Sequence, residues 1–334
     1  MNIRYKKYNF RFKDPFTISK GTKSIQESLI IELEYFGIKG LGEAPYISYY
    51  NNPVDEMISL IEKKRIFLEK FSFSDPERYW HYLHHLFHDS PFLVCALDMA
   101  GWDIYGKIKR KPLAEIWNLD ISTAPQTDFT IGIDSMEKMT KKISDNPWPV
   151  YKIKMGFTED IEVVKELRNY TNSPFRIDVN GGWTLDEAMR KIEILNKLNV
   201  QFIEQPIATH DWEGHKVLFN NSPLPVIADE SCVSEEDLVK CIDYFHGINI
   251  KLTKCSGITP ARRMIDKLRE AGKLVMLGCM NEGVVGTSAI AQLAPLADFV
   301  DMDGPLLLDT DSPFSNATYN YSETAGLGYN FNFD

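Results

Sequence analysis

The sequence lacks most features that would assign a protein at a glance. None of its apolar runs approaches the roughly 20 residues a membrane-crossing helix needs. Asn2, Arg4, Lys6 and Lys7 interrupt the N-terminal stretch, so no charged-then-apolar export signal is expected. Cysteine is sparse: Cys95, Cys232, Cys241, Cys255 and Cys279 are scattered, odd in number and without CxxC spacing. That argues against a disulfide framework or a thiolate zinc site and points to reduced thiols in the cytoplasm. Positive charge is short, with 37 Lys and Arg against 47 Asp and Glu and a net charge of −10. Nucleic acid and anionic membranes are therefore not the expected partners. Gly21-Thr22-Lys23-Ser24 has neither the upstream glycine nor the strand–helix frame of a phosphate-binding loop. Asn316-Ala317-Thr318 matches a glycosylation acceptor, which a chain that is not secreted would carry by chance.

What is present is an ordinary globular composition, 44% hydrophobic and 25% charged over 334 residues. That length is enough for one large domain and a smaller one. Strands are expected over 3–12 and 28–36, where Ile25, Leu29, Ile31, Leu33 and Tyr35 recur at even spacing and Gly37 turns the chain. Residues 14–24 between them read as a loop too long for a tight hairpin, and such loops are often lids or binding loops. A short strand comes after them, bracketed by Gly37, Gly40 and Gly42 and running into Glu43-Ala44-Pro45. Three helices come next. The first begins at Pro53, with Met57, Leu60, Ile61 and Phe67 as its apolar positions. Asp75-Pro76-Glu77 opens the second with a cap and an N1 proline. The third, over 92–107, is apolar enough to lie between layers. The second helix carries His81, His84, His85 and His88, but Trp80, Leu83 and Phe87 take its other face. The histidines therefore read as a solvated side and not as a metal site.

From residue 126 the rhythm changes to short apolar runs alternating with amphipathic helices. Strands are expected at 127–133, 150–154, 174–178, 201–204, 225–229, 247–251, 273–277 and 298–301. The helix over 184–198 is clear, with Thr184 and Glu187 as a capping box and Leu185, Ala188, Ile192, Leu195 and Leu198 as one stripe. Five consecutive strands end on a charge: Lys154, Asp178, Glu204, Asp229 and Lys251, spaced 24, 26, 25 and 22 residues apart. One βα unit is about that long, and in a (β/α)₈ barrel such ends meet at one mouth, where the active sites of that fold lie. A doubly wound sheet is the alternative, but it would not bring five successive ends together.

Asp178, Glu204 and Asp229 at one depth repel one another unless a cation sits among them. All-oxygen ligands favour one hard ion, Mg²⁺ or else Mn²⁺. Lys154 and Lys251 flank that set as a two-base arrangement, since a divalent ion and a neighbouring ammonium both favour the neutral amine a base must be. The chemistry this supports is removal of a proton α to a carboxylate. The metal stabilises the enediolate, one lysine takes the proton and the other returns one to the opposite face. Lys152 points the same way as Lys154 and could hold a carboxylate oxygen.

Lys152-x-Lys154, Asp178-Val179-Asn180, Glu204-Gln205-Pro206, Asp229-Glu230-Ser231 and Asn249-Ile250-Lys251-Leu252 together resemble the motif series of the enolase superfamily, muconate-lactonizing subgroup. The resemblance spans nearly the whole chain. It implies an α/β fold: a (β/α)₇β barrel at 123–304, an α+β capping domain at 1–122, and a C-terminal segment at 305–334 packing back on the cap. It also implies that Asp178, Glu204 and Asp229 bind Mg²⁺, that Lys154 and Lys251 are the acid/base pair, and that Asn180 supports the ligands.

Asp301-Met302-Asp303 comes after the last strand. Residues i and i+2 of an extended segment point the same way, so both carboxylates could hold a substrate ammonium; a turn into Gly304-Pro305 is the alternative. The pair is similar to that of the dipeptide epimerases, where it binds the free amino terminus. The resemblance places Glu282, within Cys279-Met280-Asn281-Glu282, at the mouth, against a helix-start charge as the plainer role. Thr130, on the first barrel strand, joins the substrate-binding set. Lys23 stands where relatives that accept a C-terminal glutamate carry arginine; it could pair with a carboxylate, but as a point charge and not a bidentate fork. Tyr46, Tyr49 and Tyr50 could wall the pocket.

The expectation is a Mg²⁺-dependent dipeptide epimerase acting on L-Ala-D/L-Glu or a related X-Glu dipeptide, cytoplasmic, with a small-molecule substrate and self-association open. The alternatives are an o-succinylbenzoate synthase or cycloisomerase, whose substrates have no ammonium to hold, and a non-catalytic barrel with a binding role.

Overall fold

The computed structural model describes residues 1–18, 21–156, 159–309 and 323–329; Asn316-Ala317-Thr318 lies outside them. The N-terminal region is a three-stranded antiparallel sheet, β1 (Asn2–Ile18), β2 (Gly21–Tyr35) and β3 (Ile38–Pro45). Here the structure corrects the loop expected over 14–24: β1 and β2 pair as far as Phe16↔Lys23, Thr17↔Thr22 and Ile18↔Gly21. Pro15 cannot donate to the ladder, and a register shift between Arg11 and Phe16 absorbs it. Beyond it Phe16, Thr17, Ile18 and Thr22 favour a pleated strand. At the other end of β2, Phe36 and Gly37 both have positive φ, 48° and 78°, the geometry of a two-residue hairpin turn.

Three helices cover this sheet: α1 (Val54–Lys70), α2 (Pro76–Phe87) and α3 (Pro91–Lys109). In α1 the buried positions are Val54, Met57, Ile61 and Leu68. Phe67, expected inside, is 54% exposed, because Leu68, seven residues after Ile61, is the one that returns to the inner face. Asp75 caps α2 by accepting from Arg78 N at 2.9 Å. The four histidines of α2 are exposed, and Trp80, Leu83 and Phe87 are buried. Almost all of α3 is buried; β3 lies directly on it, since a Cβ at Gly42 would collide with the Ala96 carbonyl.

After the single turn α4 (Leu113–Ile116) come eight parallel strands: β4 (Phe129–Ile131), β5 (Tyr151–Lys154), β6 (Phe175–Asp178), β7 (Val200–Glu204), β8 (Val226–Ala228), β9 (Gly247–Ile250), β10 (Leu274–Gly278) and β11 (Phe299–Asp301). They pair in sequence order. The ring is closed by a parallel bridge between Thr127 and Val300 and by Asp128 N donating to Val300 O at 3.3 Å. Seven helices run between these strands: α5 (Met136–Asp145), α6 (Asp160–Leu167), α7 (Leu185–Leu195), α8 (Trp212–Asn221), α9 (Glu235–Cys241), α10 (Ile258–Glu270) and α11 (Val284–Leu293). The fold is therefore the (β/α)₇β barrel with an α+β cap. Thr184 and Glu187 do form the capping box of α7. Phe202, Ile227 and Met276 fill the barrel interior. Residues 323–329 return to the cap, with Leu327 N and Tyr329 OH both donating to Asp103 on α3. Among the described residues no helix is long and apolar enough to cross a membrane.

Candidate active site

The five charged strand ends do converge. Lys154, Asp178 and Glu204 are direct neighbours in the ladder of β5, β6 and β7, with Asp229 and Lys251 immediately after β8 and β9. Strands β5 and β9 are four steps apart in a ring of eight, so Lys154 and Lys251 face each other across the mouth, with the three carboxylates filling the arc between them. The remaining arc, β10, β11 and β4, brings Cys279, Met280, Asn281, Asp301, Asp303 and Thr130 to the same cavity. Lys23, Phe16 and Ile18 of the β1–β2 hairpin and Tyr49 of the cap roof it. It encloses about 790 Å³, including space open to solvent, within the range of small-molecule sites.

Charges are paired tightly inside. Lys152, fully buried, lies one layer below Lys154 and joins the two arcs: its Nζ is 2.7 Å from Asp301 Oδ2, 2.8 Å from Glu204 Oε2 and 3.1 Å from Asp178 Oδ2. Lys154 Nζ donates to Asp178 Oδ2 at 2.6 Å, and Lys251 Nζ to Asp229 Oδ2 at 2.9 Å. Burial opposes the charge on Lys251, but Asp229 foremost, with Glu204 and Tyr49, together outweigh it and hold the ammonium well above its usual range. Lys152 is held up in the same way by Asp301, Glu204 and Asp178. In this arrangement each lysine is the counter-ion of a carboxylate, whereas the bases expected from the sequence are neutral. The carboxylates respond in kind. Burial works against ionisation of Asp178, yet Lys154 and Lys152 hold it below the usual carboxylate range. Burial and the nearby Asp178 push Glu204 up to about 7.

Asp178, Glu204 and Asp229 fit a hard divalent cation by their chemistry: they are all oxygen donors, all buried and on three successive strands. Glu204 Oε2 is buried without an aligned hydrogen bond, a lone pair left to give. Other groups hold the set in place. Asn249 Nδ2 donates to Glu204 Oε1 at 2.6 Å, and Lys254 Nζ to Asp229 Oδ1 at 2.6 Å. Asn180 N donates to Asp178 Oδ1 at 3.1 Å, and Asn180 Nδ2 to Glu230 Oε1 at 3.2 Å. Gln205 Oε1 accepts from both Asp229 N and Ser231 N. Asn180 and Gln205 have φ of 49° and 38°, a left-handed backbone that only surrounding bonds maintain. Lys254 was not singled out from the sequence; a second lysine three residues after Lys251 was the available signal. Asn249 and Gln205 stood within recognised motifs, but their bonds could not be read there.

In the second arc, Asp303 Oδ2 accepts from Thr130 N at 2.6 Å. Burial and the neighbouring Asp301 push Asp303 up to about 7. Asp301 also resists ionisation by burial, but Lys152 holds it below its usual value. One ligand atom each from Cys279, Asp301 and Asp303 lie within 4.8 Å of one another. Asp301 is already engaged by an ammonium there, so the cluster suits a second cationic group as well as an ion. Lys23 lines the cavity, 3.4 Å from Gln26 Oε1, and burial lowers its pKa. Glu282 is not in the lining; its carboxyl turns back to accept from Met280 N. Of the three cap tyrosines only Tyr49 lines the cavity, while Tyr50 packs on Phe92 and Tyr46 on the cap core.

Residues 135–334 match the family described as "Enolase C-terminal domain-like". The chain is 46% identical over 332 residues to an L-Ala-D/L-amino acid epimerase of Flavobacterium johnsoniae, covering 98% of this chain and 99% of that one. Its structure is similar to that of a substrate-liganded L-Ala-D/L-Glu epimerase from Bacillus subtilis, with TM-score 0.90, 26% identity and 98% of each chain covered. It is also similar to a dipeptide epimerase from Enterococcus faecalis complexed with Mg and L-Leu-L-Tyr, with TM-score 0.89, 27% identity and 99% of each chain covered.

Proposed function

Because this chain belongs to the enolase superfamily, in the branch of mandelate racemase and the muconate-lactonizing enzymes, we propose that it is a Mg²⁺-dependent dipeptide epimerase acting on L-Ala-D/L-Glu or a related X-Glu dipeptide. The observation that carries this is the pair of opposed lysines, Lys154 and Lys251, with a carboxylate arc on one side of the mouth and Asp301 and Asp303 on the other. The substrate ammonium sits against Asp301 and Asp303, whose placement is held by Lys152 and Thr130 N. The α-carbon of the second residue then lies between the lysines. One lysine takes its proton and the other delivers a proton to the opposite face, so the carbon is inverted. Lys152 remains an ammonium and offsets charge developing on the substrate carboxylate.

Asp178, Glu204 and Asp229 would hold the metal, supported by Asn180. When bound, Mg²⁺ supplies the positive charge that holds the substrate carboxylate and competes with the lysines for their carboxylate partners. Lys154 and Lys251 must leave Asp178 and Asp229 before either can accept a proton. Lys23 sets the preference for an acidic second residue from the hairpin. Glu282 acts from behind the wall. The chain divides at 122 and 304 into cap, barrel and returning segment, and works in the cytoplasm with Mg²⁺ in preference to Mn²⁺.

The test is incubation with Mg²⁺ and L-Ala-L-Glu in D₂O, read by mass spectrometry for α-deuterium at the glutamate and by chiral analysis for the D-epimer. A dipeptide library without exchange, together with turnover of a succinylbenzoate precursor, would overturn the reading in favour of the synthase.

A further inference from the structure

Two carboxylates of the cap are buried on the first turns of two consecutive barrel helices. Glu43 of β3 accepts from Gly283 N at 2.9 Å and from Gly286 N at 3.0 Å, at the start of α11. Asp98 of α3 accepts from Thr259 N at 3.0 Å and Thr259 Oγ1 at 2.8 Å, at the start of α10. First-turn amides have no acceptor within their own helix, and a carboxylate there is favoured by the helix dipole as well. Both contacts therefore fasten the cap to the barrel. They differ in their distance from the pocket. Residues 256–259 are absent from the cavity lining, whereas α11 is preceded by Cys279-Met280-Asn281, which forms one wall of it.

That wall is tied to Glu43 by close packing. Glu282 closes the loop on itself by accepting from Met280 N. Gly286 lets both acidic side chains through: a Cβ there would lie 2.7 Å from Glu282 Cβ and 3.4 Å from Glu43 Oε2. Burial, then Glu43 beside it, push Glu282 up to about 8, and burial raises Glu43 as well. Gly304, next to Asp303, is packed so closely on the Glu282 carbonyl that a Cβ would collide with it. The turn that carries Asp303 away from Asp301 at the end of β11 thus rests on the same piece of backbone.

We propose that Glu43 is a positioning residue of the cap, which sets the Cys279–Asn281 wall, and the Asp301–Asp303 segment resting on it, through the start of α11 and Glu282. Asp98 makes the same kind of contact at the start of α10, where residues 256–259 do not line the pocket, and is its internal control. In its kinetic readout the inference rests on the epimerase reading; its structural readout does not.

The experiment compares Glu43→Gln, Glu43→Asp and Asp98→Asn in the full chain. Glu43→Gln keeps the volume and removes one acceptor. Hydrogen exchange of the segment 279–287 should accelerate by about tenfold or more, and KM for L-Ala-L-Glu should rise about tenfold with kcat changed much less. Glu43→Asp should recover part of both. Asp98→Asn should lower Tm yet leave KM and exchange over 279–287 at wild-type values. Wild-type KM and exchange in Glu43→Gln would overturn the inference, as would a KM increase of the same size in Asp98→Asn. If Glu43→Gln does not fold, exchange in Glu43→Asp decides, and wild-type protection there overturns it. If the wild-type chain epimerises no dipeptide, the functional reading falls and hydrogen exchange alone judges the tie.

Discussion

The two arcs of the barrel mouth are built differently. From β5 to β9 the functional groups are the strand ends themselves or the next residue, locked in register by the ladder, with Lys154, Asp178 and Glu204 directly paired. From β10 round to β4 only Asp301, at the end of β11, and Thr130, in β4, stand in the ladder, while Cys279 to Asn281 and Asp303 sit in loops. Those loops take their shape from neighbours such as Thr130, Glu282 and, through α11, the cap. A ladder holds groups to within fractions of an ångström, which proton transfer requires. Loops can vary without disturbing it, which suits the choice of substrate. Under the proposed function the reaction falls to the first arc and selection to the second, together with the hairpin that roofs it.

The sharpest break between the arcs is expected at the lysines. Lys154→Ala and Lys251→Ala should each lower epimerisation by about 10²- to 10⁴-fold, while one epimer still exchanges its α-proton with D₂O through the remaining lysine. Normal epimerisation by both variants, measured by chiral chromatography, would end the two-base assignment. Asp303→Asn should reduce kcat/KM for L-Ala-L-Glu by roughly 10²-fold, the scale of a charge-assisted hydrogen bond in a dry site. The ratio of that value to the one for N-acetyl-L-Ala-L-Glu should shrink, because the acetylated peptide has no ammonium to lose. An equal loss on both peptides would put Asp303 with the reaction and dissolve the division.

The pH dependence separates the arcs more gently. Asp303 stands at about 7, so it loses its charge as the pH falls below that value. KM for the dipeptide should then rise between about pH 8 and 6, and Asp303→Asn should flatten the profile. For stability the sign is the reverse. Burial pushes Asp98 up to about 7 as well, far above its unfolded value of about 4. The folded state therefore binds the extra proton, and the contribution of such a group is complete below about pH 4 and lost as the pH rises through about 7. Tm should decline over that window, and the decline should be shallower in Asp98→Asn, as followed by differential scanning calorimetry. The smallest effect belongs to the roof: Lys23→Arg should raise the preference for glutamate over alanine at the second position by about threefold, through bidentate pairing, measured by competition between two dipeptides.

Much of the first arc was legible without coordinates, because one charged residue per βα unit is a periodic signal and periodicity survives in sequence. The hairpin was not. Asp14, Pro15 and Gly21 read as a loop, while the ladder runs through them by shifting register. Lys254 was invisible for another reason. Its ammonium reaches Asp229 only because the chain turns after β9 and aims it back at 2.6 Å. Glu43 and Asp98 looked like ordinary charges of a cap strand and a cap helix; the amides they accept from lie 240 and 161 residues away.

By itself the sequence determined which residues end the barrel strands and hence which chemistry gathers at the mouth, since strand period and βα length are local properties of the chain. Only the tertiary structure decided what each charge is paired with and which loops the cap holds in place. Those depend on burial and on contacts between residues far apart in sequence, where a buried charge must find a partner and nothing local says which one it will be.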